Sequence, residues 1–160
     1  MGLLNQTRQL LLFTLWADRV MLDAARGVSP EHLVRDAGVS FGSMLGTLSH
    51  ILGSQRRWMA RFVGQEAILG DPPVSDLETL AAGWSETSSQ LEFLLASLTE
   101  EQLAADIVWT NQGETITRPL WQPVFHMVNH STYHRGQVVS LMRQLGYQPP
   151  KTDLIHFFMK

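Results

Sequence analysis

A chain of 160 residues is long enough for one domain that buries roughly two thirds of its unfolded surface. With 44% hydrophobic and 17% charged residues it needs no staples, and with no cysteine it excludes a disulfide framework, a thiolate metal site and a cysteine nucleophile. The formal net charge of -3 comes without a basic stripe, so the counterion release that drives nucleic-acid binding has no source here.

The opening stretch is apolar, but Arg8, Asp18 and Arg19 interrupt it and no cleavage site follows. Its longest apolar run falls well short of the ~20 residues that a membrane span needs. It reads as an amphipathic helix from Leu3 to Ala25, with Leu4, Leu11, Leu12, Leu15, Trp16, Val20 and Leu22 at helical spacing. The expected setting is the cytoplasm, with no membrane partner. Ser29-Pro30-Glu31 starts a short helix that Gly38 ends, because serine caps and proline suits the first helical position. A second long helix is expected from Ser40 or Ser43 to Val63, with Leu45, Leu48, Ile51, Leu52, Met59 and Phe62 facing the core. Gly64 and Asp71-Pro72-Pro73 break the chain there. Ser75-x-x-Glu78 has the form of a capping box for a third long helix through Leu80, Trp84, Leu91, Leu94 and Leu95. Thr99-x-x-Gln102 has the same form over one short turn. Val108-Trp109-Thr110 and Thr115-Ile116-Thr117 flank Asn111-Gln112-Gly113 as a small hairpin. The fourth long helix runs from near Pro119 to Leu145, and the apolar tail Asp153–Met159 is expected to pack back on the bundle.

That last helix carries His126, His130 and His134. Each four-residue step advances about 40° around a helix, so the three share one stripe, and Gln137 returns to within about 20° of His130. Side chains at this spacing have Cβ atoms about 5–6 Å apart, which suits two imidazoles meeting one ion at roughly 2.0–2.1 Å. The ends of the stripe lie about 12 Å apart along the axis, so a third ligand is expected from elsewhere. His50 is the candidate, because Ser43, Gly46, Thr47 and Ser54 around it leave room for a cavity. Three neutral nitrogen ligands keep coordination positions open, as catalytic zinc sites do. The same stripe also suits histidines hydrogen-bonded across a core or solvated on a helix face. His32, His156 and the five tryptophans read as surface or packing residues. No Ser–His–Asp set, phosphate loop or helical metalloprotease pattern is present.

The stretch His126-x-x-Asn129-His130-Ser131-Thr132-Tyr133-His134-Arg135-Gly136-Gln137 resembles the motif of the DinB family, whose wider group includes YfiT-type metalloproteins and thiol-dependent transferases. Trp16-Ala17-Asp18 is similar to the family's Trp-Ala-Asn. Ser40-Phe41-Gly42-Ser43 through His50, Trp58-x-x-Arg61, the hairpin at Gly113 and the Thr152-Asp153 tail extend the likeness over nearly the whole chain. It implies an all-α, up-down-down-up four-helix bundle, one domain over residues 1–160, with a short β-hairpin before the last long helix. It also implies a homodimer, and one divalent metal on a triad that falls on His50, His130 and His134. Zinc comes first, with nickel, iron, manganese or cobalt as alternatives. His126 is then a residue behind the ligands, Asn129 and Arg135 support the site or anchor substrate, and Tyr133 and Gln137 contact the pocket.

The function so implied is transfer of a low-molecular-weight thiol to a small-molecule substrate by a metal-dependent enzyme. In the isomerase branch a carboxylate replaces one histidine, and this chain keeps all three. Metal-dependent hydrolysis is the alternative within enzymes. A non-catalytic metal- or ligand-binding stress protein, and a structural dimer with vestigial histidines, are the alternatives outside them. The structural reading predicts filled space between His50 and the fourth helix.

Overall fold

The structure is a computed structural model and describes residues 2–160. Four long helices dominate: α1 (Leu3–Ala25), α3 (Met44–Phe62), α4 (Leu77–Ser97) and α6 (Trp121–Gln144). Short helices α2 (Pro30–Val34), α5 (Glu100–Ala104) and α7 (Leu154–Phe158) fill the connections and the tail. Strands β1 (Asp106–Asn111) and β2 (Glu114–Pro119) form the antiparallel hairpin.

Side-chain pairs give the directions. His50 meets His134 while Trp58 meets His126, so α3 and α6 are antiparallel. Leu52 packs at Gly83, and Val63 shares a groove with Phe93, so α3 and α4 run the same way. Arg8 donates to the Leu98 carbonyl whereas Asp18 lies beside the Gln55 amide that Trp84 reaches, so α1 opposes α4. The result is the up-down-down-up bundle, in which the neighbours are α1–α4, α4–α3, α3–α6 and α6–α1.

Local chemistry sets the ends. Ser29 caps α2, Ser43 caps α3 and the Thr99–Gln102 capping box opens α5. At α4 the expected Ser75–Glu78 box does not form. Asp76 is the cap, accepting from the Thr79 N–H at 2.8 Å, and the Ser75 hydroxyl donates to the Asp76 carboxylate instead. A carboxylate is the stronger acceptor for a backbone donor at the positive end of a helix, so it wins over its serine neighbour. In the hairpin, Asn111 faces Glu114, leaving Gln112 (φ 49°) and Gly113 (φ 85°) as a two-residue turn with both central residues left-handed. That conformation matches the twist of the paired strands.

Two apolar clusters fill the bundle, one around Leu48, Ile51, Leu52, Leu80, Leu141 and Val138, the other around Leu11, Phe13, Trp58, Leu91, Val124 and Met127. The core side of α1 is not its leucine-rich side. Thr7, Leu11, Thr14, Asp18 and Met21 are buried, whereas Leu12 is 41% exposed. The two threonines satisfy themselves by donating to the Leu3 and Leu10 carbonyls one turn back. Among the described residues no helix is long and apolar enough to cross a membrane.

Candidate metal centre

Helix α3 and helix α6 cross their histidines. The His50 ring lies 5.0 Å from His130 and 4.6 Å from His134, and those two are 4.4 Å apart, all between centroids. One ring nitrogen from each lies within 4.8 Å of the others. The His50 and His130 Nε2 atoms are 3.2 Å apart. Two nitrogens at 2.0–2.1 Å from a tetrahedral ion sit about 3.4 Å apart, so this spacing is close to what one ion asks for. His126, the remaining histidine of the stripe, stays outside, with its ring set edgewise against Trp58 at 5.4 Å.

Two of the three rings are oriented from behind. His50 Nδ1 is 2.9 Å from Asp71 Oδ2, and His134 Nδ1 is 2.8 Å from Gln137 Oε1. Both partners are acceptors, so both Nδ1 atoms carry the proton and both Nε2 atoms present a bare lone pair. The buried Nδ1 of His130 has no partner among the described residues. A carboxylate or amide behind a ligating imidazole is the usual means of fixing its tautomer. Gln137, expected as a pocket contact, is therefore seen as an orienting group for His134.

Asp71 has no signal in the sequence beyond its place before Pro72-Pro73, where it reads as a chain break. The structure shows how it arrives. Ser49, Gly53 and Arg57 follow one another at four-residue steps along α3. The Ser49 hydroxyl donates to the Pro72 carbonyl at 2.8 Å, and Arg57 donates to the Gly70 carbonyl and to Asp71 Oδ1. A Cβ on residue 53 would meet Asp71 and Pro72, so the missing side chain lets the loop lie against the helix.

The electrostatics favour the neutral form of His50, His126 and His130. Burial, then the proximity of His134, His50, His126 and Arg57, pushes His130 down to about 4. Burial also lowers His50, against the opposing pull of Asp71, and lowers His126. Burial raises the Asp71 carboxyl, but hydrogen bonds from His50 and Arg57 outweigh it and leave it below the usual carboxylate value. Neutral imidazoles are the form in which histidine ligates a metal. The donor set and its tautomers therefore fit a divalent cation.

The room left by the small residues around His50 is used differently from the expectation. Phe41 stacks flat on His50 at 3.7 Å and stands edgewise to His134 at 5.3 Å. A Cβ on residue 46 would collide with the Phe41 carbonyl, Ser43 is the helix cap, and Thr47 and Ser54 are buried. Tyr133 is 65% exposed with its ring edgewise to His134 at 4.9 Å, and Asn129 is exposed on the same helix. Arg135 turns inward: it is 1% exposed and pairs with Asp18 at 3.2 Å and Thr132 at 2.8 Å. Of the two roles expected for it, support of the helix is the one this placement serves.

A model of the DinB family matches residues 3–159. The chain belongs to the DinB family. A curated relative, Protein DinB of Bacillus subtilis (strain 168), is 26% identical over 167 residues, covering 92% of this chain and 91% of that protein. The crystal structure of a DinB-like protein from Bacillus subtilis superposes with a TM-score of 0.71 at 21% identity, over 91% of this chain and 98% of that one. This second likeness shows that the helical bundle is a DinB-like fold.

Proposed function

We propose that this DinB-family chain is a metal-dependent enzyme that uses His50, His130 and His134 to hold one divalent ion, zinc first, and acts on a small molecule by thiol transfer. The observation that carries it is the convergence of three histidine ring nitrogens within 4.8 Å, two of them with their opposite nitrogens already fixed. His50, His130 and His134 would hold the ion, which when bound would supply the Lewis acidity that favours ionisation of a thiol or of water. The chain's own residues hold the three lone pairs together, and Phe41 and Tyr133 shield the rings. Cytoplasmic location, expected from the N-terminal stretch, and a homodimer, taken from the family resemblance, belong to the same reading.

Elemental analysis of untagged protein, beside His50→Ala, His130→Ala and His134→Ala, tests it. About one metal per chain, lost in each variant, is the expected result. No metal after divalent ions are supplied at neutral pH would end the metalloenzyme reading. With metal present, consumption of an electrophile that requires added thiol separates transfer from hydrolysis, which proceeds without it.

A further inference from the structure

His50 opens a line on α3 that continues with Arg57, seven residues on and about 20° away, and Arg61, one turn further. On α6 the facing line is His134, His130 and His126. Trp58 joins the two lines at their far end. Its ring meets His126 edgewise at 5.4 Å, and the Arg61 guanidinium lies over it at 4.7 Å. The Arg61 guanidinium has that ring as its partner and enters no ion pair or hydrogen bond among the described residues. The one carboxylate on this strip, Asp71, is already divided between His50 and Arg57. Arg57 and Arg61 lie four residues apart on α3, so their side chains are neighbours on one face of that helix. Two cations beside a single shared anion, on an aromatic floor, form a receptor for a further negative charge.

We propose that Arg61, seated on Trp58 and flanked by Arg57, anchors the carboxylate of a small substrate whose other end reaches the histidine triad. This rests on the triad holding a metal. The steps from Arg61 to Trp58 (4.7 Å), Trp58 to His126 (5.4 Å) and His126 to His130 (5.8 Å) separate the two ends by several bonds. The substrate class is therefore a flexible or elongated carboxylic acid, with its reacting group distant from the acid.

The probes are 6-mercaptohexanoate and its neutral counterpart 6-mercaptohexanol, titrated into cobalt-loaded protein and followed by the visible cobalt spectrum. Wild type should bind the acid about tenfold more tightly than the alcohol, the gain of one charge-assisted contact. Arg61→Gln should lose that preference while keeping its cobalt and its affinity for the alcohol, and Arg61→Lys should keep part of it. Full preference in Arg61→Gln overturns the proposal. A second arm needs no metal: hexanoate titrated into metal-free protein should shift the Trp58 indole resonance in wild type and not in Arg61→Gln, with hexanol inert in both. If wild type fails to load cobalt, the triad reading falls and this arm still decides the anchor. Equal indole shifts in both proteins, or none in wild type, overturn it.

Discussion

His130 is the residue most displaced from its ordinary chemistry. Burial, then the neighbouring imidazoles and Arg57, hold it near 4 in the folded chain, against the usual 6.5. The folded value is the lower one, so between about 6.5 and 4 the unfolded chain takes up the proton more readily. Stability from this site is present above 6.5 and is lost as pH falls towards 4. The shifts of His50 and His126 act in the same direction. Urea midpoints of metal-free protein should therefore fall between pH 7 and pH 4.5 by more in wild type than in His130→Asn. Equal falls would show that the ring pays no desolvation penalty. The stripe that places this histidine was legible from spacing alone. The group that orients His50 was not, because the Asp71–His50 contact joins positions 21 apart through a loop. Likewise Gly46 reads as cavity-making in sequence, and only the structure shows the Phe41 carbonyl that it admits.

At the scale of elements, the helices were legible where pattern and capping agree, as at α2, α5 and the two-residue hairpin turn. They were ambiguous where two acceptors stand side by side, as with Ser75 and Asp76, because spacing does not rank acceptor strength. The connection between α3 and α4 is the element whose role sequence hid most completely. It is pinned to α3 through Ser49, Gly53 and Arg57, and it delivers one carboxylate behind His50. Removal of such a partner ordinarily lowers metal affinity by about 10–100-fold. Asp71→Ala should show a loss in that range with all three ligands intact, and Asp71→Asn a smaller one, since its amide oxygen still accepts from Nδ1. Chelator competition with zinc measures both. An unchanged affinity would make the loop a packing element alone.

At the scale of the molecule, one polar network ties all four long helices. Asp18 on α1 accepts from Gln55 on α3 and Arg135 on α6, Trp84 on α4 donates to the Gln55 carbonyl oxygen, and Gln55 also reaches Ser131. On α1, α3 and α6 these residues fall between the two apolar clusters, and Trp84 on α4 belongs to the first of them. Periodicity could not find it: a buried pair 117 residues apart looks in sequence like an isolated acid and an isolated base. Burial raises the Asp18 carboxyl, with Arg135 and Gln55 opposing, so the ionised form depends on those partners. Breaking a buried pair from one side costs about 3–5 kcal/mol, whereas replacing both members with apolar groups is often close to neutral. Arg135→Met should therefore destabilise the chain by about that amount, and Asp18→Leu with Arg135→Met by clearly less. Arg135 also sits directly after His134, so its pairing with Asp18 constrains α6 beside the histidines. The single variant should then weaken zinc binding as well as stability, and the double variant should restore stability without fully restoring the metal. Additive losses in urea denaturation would show that the two charges are independent. Unchanged zinc affinity in Arg135→Met would show that the apolar clusters alone fix the helix.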